Sequence, residues 1–243
     1  MNQVDIPSFE PVEEWGRLFR DPYSQLEFQA GMRCVHEHIP RGSRVLDAGG
    51  GPGRYALEMC RQGYDVVLVD VCAESITFAR DRLREEPANV REHLLQLVTT
   101  DISDLSMFDD AQFDALLCFD PLSSIPGDTE RRGAIAEFIR VTRSGGIMLT
   151  SVSGHFAVLR TLLARAREEI GGPAFDTLVE HGNASVRGAS CHFFRADEMR
   201  MLMESCGLET IEMVGSHGLS CCLPDATNEL ANETHGGTRG WTC

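Results

Sequence analysis

Apolar positions alternate between two rhythms along this chain. Residues 24–39 carry Leu26, Phe28, Met32, Val35 and Ile39 at helical spacing, and Pro40 stops the run. From there, short Val/Leu-rich runs predict strands at 43–48, 65–70, 93–99, 113–119 and 146–152. Amphipathic stretches between them predict helices at 54–61, 73–84 and 128–142. The segment 101–110 is short and acidic and is not expected to be helical. Strands that alternate with helices and are apolar throughout imply a parallel sheet covered on both faces.

After residue 152 the rhythm changes. A helix is expected over 156–170, ended by Gly171-Gly172-Pro173, and residues 174–195 lack a strong helical period. A last helix over 196–206 stops at Gly207, and 208–214 is a sixth strand candidate. No internal repeat or linker is visible. The expected organisation is one domain: an N-terminal helical segment (1–40), a core (43–152), an insertion (154–195), a last helix and strand (196–215) and an irregular tail (224–243).

The most informative stretch is Val45 to Tyr55, Val-Leu-Asp-Ala-Gly-Gly-Gly-Pro-Gly-Arg-Tyr. A strand ends on Asp47, and four glycines crowd into the next positions, so a ligand can lie directly on the backbone. A carboxylate at that mouth repels a pyrophosphate and welcomes an amine or a sulfonium. By itself the loop also satisfies a looser G-x-G-x-x-A dinucleotide pattern, Gly51 to Ala56, which keeps an NAD(P)-dependent oxidoreductase as an alternative. Two further acids end the next two strands, Asp70 after Val66-Val-Leu-Val69 and Asp101 after Thr99-Thr100. Each has an ordinary explanation, as a helix cap or a turn residue.

Asp47-Ala-Gly-Gly-Gly-Pro-Gly53, Asp70 and Asp101, in that order, resemble the class I S-adenosylmethionine-dependent methyltransferases from about residue 24 to residue 215. The resemblance is to small-molecule, prokaryotic members. It implies a Rossmann-like, doubly wound α/β sheet, with six parallel strands and an antiparallel seventh beside the fifth. It also implies a cofactor site at Asp47, Gly49, Gly51, Gly53, Asp70, Val71, Asp101, Ile102 and Phe119. The ribose falls to Asp70 and the adenine amino group to Asp101. The chain departs from the family in its tail, where 231–243 shows almost no apolar alternation, so the final antiparallel strand is expected to be missing through truncation or a frameshifted end. It departs again at Asp120-Pro121-Leu122-Ser123, where amine methyltransferases have (D/N)-P-P-Y; methylation of a planar amine is therefore not expected.

Methyl transfer needs alignment and desolvation, and a base only for a weakly acidic acceptor. Asp120 and His192 are the catalytic candidates, with His155 and His181 behind them, and Tyr23 and His192 are candidate substrate contacts. A histidine beside two phenylalanines (His192-Phe193-Phe194) is more often structural. Trp15, Phe19 and Tyr23 precede the first long helix, where such a segment folds over the cofactor in related small-molecule enzymes; packing of an aromatic face on the sheet is the equal alternative. His36-Glu37-His38 lies at a helix end, and no metal is assigned. A third alternative is a non-catalytic S-adenosylmethionine-binding protein.

Composition narrows the partners. The chain has 243 residues, 42% of them hydrophobic and 24% charged, which suits a single globular core. Net charge is −15, from 37 acidic and 22 basic residues, and no basic stripe exceeds Arg131-Arg132, so a nucleic-acid or anionic-membrane partner is not expected. No run is long enough to span a bilayer, and the start of the chain lacks a basic or apolar leader pattern. Nine cysteines without a C-x-x-C pair read as reduced thiols. A cytoplasmic enzyme with a small-molecule acceptor is the expectation. The acceptor, the atom methylated and the oligomeric state are left open.

Overall fold

The computed structural model describes residues 10–165, 170–186, 189–217 and 227–228. Five strands, β1 (Arg44–Ala48), β2 (Asp65–Asp70), β3 (Leu94–Thr99), β4 (Phe113–Phe119) and β5 (Thr142–Ser151), form one sheet in the order β3-β2-β1-β4-β5. Every pairing in it is parallel. The chain winds outward from β1 in both directions, so the crevice at the carboxyl ends of β1 and β4 is the place where such a sheet binds ligands.

Period-two alternation sorts the strand residues between two cores. Leu46, Ala48, Val67, Val69, Leu116 and Cys118 face one side. They pack against α7 (Asp128–Val141) and α10 (Ala196–Ser205) through Ile135, Phe138, Met199 and Leu202. Val45, Val66, Leu68, Ala115 and Leu117 face the other. There they meet α2 (Pro22–His38), α3 (Arg54–Arg61) and α4 (Ala73–Arg84) through Met32, Val35, Met59 and Ile76. The remaining helices are α1 (Pro11–Arg17) and the short α5 (Ala88–Arg91) and α6 (Pro121–Ser124).

Residues 101–110 form turns around the buried Leu105 and Phe108 and contain no helix, as their composition suggested. The insertion is more ordered than its sequence implied. After α8 (His155–Arg165) come α9 (Pro173–His181) and an antiparallel pair of strands, β6 (Asn183–Val186) and β7 (Ala189–His192). Gly172-Pro173 starts α9, because proline at the first helical position loses no hydrogen bond; residues 166–169, part of the helix expected over 156–170, lie outside the described residues. Gly182, at φ +72°, closes that helix in the left-handed conformation.

The sixth strand expected over 208–214 is a correction: this segment is not a strand. Its two faces, Leu208/Thr210/Glu212/Val214 and Glu209/Ile211/Met213, each mix polar and apolar residues, so neither specifies burial. Glu212 instead ties the segment to α2, with Oε2 2.7 Å from His38 Nε2 and Oε1 3.5 Å from Arg33 Nη2. Ile211 is left 68% exposed. The tail in which a seventh strand was sought, and Cys221-Cys222, lie outside the described residues apart from 227–228.

Candidate functional site

The loop after β1 is built by backbone contacts that side chains would prevent. The amides of Gly49 and Gly50 donate to the Val69 carbonyl at 2.8 and 3.3 Å, and Gly53 donates back to Gly50 at 3.0 Å. Gly49 has φ +75°, and a Cβ there would sit 2.4 Å from Pro121 Cγ. A Cβ on Gly50 would sit 2.4 Å from Asp47 Oδ2. The carboxylate of Asp47 thus lies directly beneath bare backbone.

Three carboxylates end three neighbouring strands on this rim. Asp47 is 2% exposed, and its buried Oδ2 has no hydrogen-bond partner among the described residues. Burial, reinforced by the nearby charge of Asp70, raises its pKa to about 7. Asp70 accepts from the Gly51 amide through Oδ2 and from the Cys72 amide through Oδ1, both at 2.8 Å. Burial raises its pKa, and those two hydrogen bonds work against the rise. Asp101 is exposed, and its Oδ1 accepts from the Ser103 amide and hydroxyl at 2.8 and 2.7 Å, a turn that leaves Oδ2 open. Val71 is exposed beside Asp70, and Ile102 is buried, its Cγ2 near Gly49.

The half-buried Phe119 ends β4 with its ring edge-on to Tyr55, centroids 4.6 Å apart. The sequence reading did not identify the aromatic path behind it. Phe19, Phe28 and Tyr55 follow one another at 4.9 Å each. Nor did it single out Arg54, whose guanidinium lies between Trp15 (3.7 Å) and Phe19 (4.2 Å) and donates to the Trp15 carbonyl at 3.1 and 2.7 Å. Those contacts hold α1 across the glycine loop, with Glu14 Cγ 4.0 Å from the position of a Gly51 Cβ. A lone arginine following a glycine motif gives no sign in sequence of the aromatics it will meet.

The carboxyl ends of β4 and β5 carry the second half of the site. Asp120 sits at φ +81°, a left-handed conformation that only a few non-glycine residues adopt. Ser153 Oγ donates to Asp120 Oδ1 at 2.9 Å, and the Ser153 amide donates to Ser123 Oγ at 2.8 Å. The ends of the insertion are stitched at the same place: Phe194 donates to the Ser153 carbonyl at 2.9 Å, and His155 donates to the Phe194 carbonyl at 2.8 Å. The hairpin strand β7 packs on α6, directly beyond Asp120.

The other candidates separate. His192 is buried, with Nδ1 2.7 Å from Asn183 Oδ1 and Nε2 2.6 Å from Glu198 Oε1, so both ring nitrogens are held in a brace between the hairpin and α10. His181 is at the surface, 3.6 Å from Glu180. Tyr23 stacks on His217 at 4.2 Å, and its amide donates to Asn228 Oδ1 at 2.8 Å. Glu37, His38 and Glu212 cluster closely enough for a metal, but Arg33 already pairs with both carboxylates.

Known proteins resemble this chain in sequence and fold. Residues 46–150 match the methyltransferase domain family. A glycine/sarcosine N-methyltransferase from Halorhodospira halochloris is 27% identical over 150 residues, 61% of this chain and 53% of that protein. A tRNA 5-carboxymethoxyuridine methyltransferase from Escherichia coli is 27% identical over 133 residues, 54% of this chain and 49% of its own. The chain thus spans about half the length of these curated relatives, and acceptors of very different size occur among them. A crystal structure of an S-adenosylmethionine-dependent methyltransferase from Methanosarcina mazei superposes with a TM-score of 0.57 at 26% identity, covering 71% of this chain and 82% of that one. With a five-stranded parallel sheet, a glycine loop over a buried carboxylate and these likenesses, residues 46–150 are a methyltransferase domain of the class I, S-adenosylmethionine-dependent type.

Proposed function

We propose that this protein transfers a methyl group from S-adenosylmethionine to a small-molecule acceptor held between the β4–β5 rim and the 154–195 insertion. The observation that carries the cofactor half is Asp47: a buried carboxylate oxygen without a partner, beneath backbone that no side chain could occupy, fits a cationic amine. Asp70 has lone pairs beyond those given to Gly51 and Cys72, enough to accept from a ribose diol. Asp101 Oδ2 and the Ile102 amide suit an adenine edge, and Val71 an apolar face of the ring. When bound, S-adenosylmethionine supplies an electrophilic methyl group on a sulfonium.

The chain's own residues then align and dry the acceptor. Phe119 and Tyr55 exclude water on one side, and the hairpin on α6 narrows the other. Asp120, oriented by Ser153, is the group placed to take a proton from a hydroxyl or amine acceptor; His192, with both nitrogens engaged, positions the hairpin. The insertion as acceptor lid, the strongly negative net charge and the acidic rim together favour a small acceptor over a nucleic acid. The six described cysteines are free thiols, and no helix among the described residues is long and apolar enough to cross a membrane. We place the enzyme in the cytoplasm on the thiols and the family. Labelled-methyl transfer into a metabolite extract and into total tRNA tests the acceptor class: label entering metabolites alone is expected, and label entering tRNA alone would overturn it.

A further inference from the structure

Arg131 is the anomaly of the acceptor side. It occupies the first turn of α7 and is only 5% exposed. Its guanidinium lies over the Phe194 ring at 5.2 Å, yet no carboxylate or carbonyl among the described residues accepts a hydrogen bond from it, and its Nε is fully buried. The nearby carboxylates are committed elsewhere. Asp128 pairs with Arg132 at 2.7 Å. Glu198 holds His192 and the Arg195 amide. Glu130 folds back over Gly127. Asp128, Glu198 and Glu130 lie close enough to favour the charge, but none hydrogen-bonds the guanidinium, and a buried Nε left unpaired is a cost that a bound anion would offset.

A second unsatisfied group adjoins the same phenylalanine. His155 is 3% exposed, its backbone amide is spent on the Phe194 carbonyl, and its buried Nδ1 has no partner among the described residues. Phe194 also bonds Ser153, whose hydroxyl orients Asp120. Phe194 thus meets Arg131 through its ring and His155 through its backbone, and each of these two side chains keeps a buried nitrogen without a partner among the described residues.

We propose that the methyl acceptor carries a carboxylate, received by the Arg131 guanidinium with His155 beside it, at the Phe194 end of the lid. This presupposes the methyl transfer proposed above and names the class of acceptor. A planar guanidinium fork matches a carboxylate bidentately. On a chain of net charge −15, an anionic acceptor needs such a dedicated cation.

The test has two arms. In the first, Arg131→Met is melted without ligand. A group kept for a ligand weakens the empty protein, so the variant is expected to melt several degrees higher; a lower melting temperature would show that the guanidinium serves the fold, and would overturn the proposal. In the second, a small-molecule extract is split on an anion-exchange resin and each fraction is given labelled S-adenosylmethionine. Label is expected in the retained fraction only, unchanged by prior phosphatase treatment and at least tenfold lower with Arg131→Met. Label in the unretained fraction, loss on phosphatase treatment, or no effect of the variant would each overturn the carboxylate assignment. If S-adenosylhomocysteine binds but neither fraction is labelled, the transferase reading fails, and the melting arm alone decides whether Arg131 awaits an anion.

Discussion

The Gly51 amide donates to Asp70 Oδ2 at 2.8 Å, so the carboxylate that ends β2 also fixes the loop that follows β1. One side chain shapes the cradle and, in the function proposed above, would offer its remaining lone pairs to the ribose. Asp70→Ala is therefore expected to weaken S-adenosylhomocysteine binding by about 100-fold or more, since it removes charge-assisted hydrogen bonds worth roughly 1.5–3 kcal/mol each. Calorimetric titration checks it, and unchanged affinity would show that the ribose contact is misassigned.

Asp47 makes binding depend on pH. Its carboxyl pKa rises from 3.8 to about 7 by burial, so the folded protein holds a proton there that the unfolded chain has already lost. A raised carboxyl favours the native state below the unfolded pKa, and that advantage is lost as pH rises from near 4 through 7, by about 4 kcal/mol at 1.36 kcal/mol per unit. Asp47→Asn should flatten this slope in melts taken from pH 5 to pH 8. A cationic amine over Asp47 would ionise it, so S-adenosylmethionine binding at pH 6 should release close to one proton, fading above pH 8. Titrations in buffers of different ionisation enthalpy measure that release, and a count near zero at pH 6 would contradict it.

Asp120 keeps a left-handed backbone that glycine adopts without strain. Asp120→Gly should raise stability by about 1 kcal/mol while turnover falls on the order of 100-fold, the usual contribution of a positioned base. Chemical denaturation and initial rates read both quantities. Loss of stability would mean that the Ser153 contact matters more than the strain.

His192 separates a brace from a base. Replacing it with phenylalanine leaves Asn183 and Glu198 without their partner and should cost about 1–3 kcal/mol of stability. S-adenosylhomocysteine affinity should stay within twofold, and the pH profile of kcat/KM should keep its shape. A lost acid limb in that profile would return His192 to catalysis.

What could be read from the chain alone followed from local physics. Strands β1, β2 and β4 are apolar on both faces, and Asp47, Asp70 and Asp101 were legible because each stands at or just past the carboxyl end of a strand. The strands β6 and β7 escaped notice because Asn183-Ala-Ser-Val186 and Ala189-Ser-Cys-His192 are largely polar and take their place through packing against α9 and α6. The segment 208–214, a strand candidate in the sequence, is instead tied to α2 by the Glu212–His38 contact, which joins residues 174 positions apart and leaves no local signal. The role proposed for Arg131 was hidden for a related reason, and His155 stood only as one candidate base among several. Neither belongs to a motif, and their significance lies in missing partners, which only a folded chain displays.

A calorimetric titration of the purified chain with S-adenosylhomocysteine and, separately, with NAD decides whether the rim of three carboxylates selects a sulfur nucleoside over a pyrophosphate. One S-adenosylhomocysteine should bind per chain, and NAD should give no heat beyond dilution. NAD binding with no response to the sulfur ligand would contradict the assignment of Asp47, Asp70 and Asp101 as a cofactor site for S-adenosylmethionine.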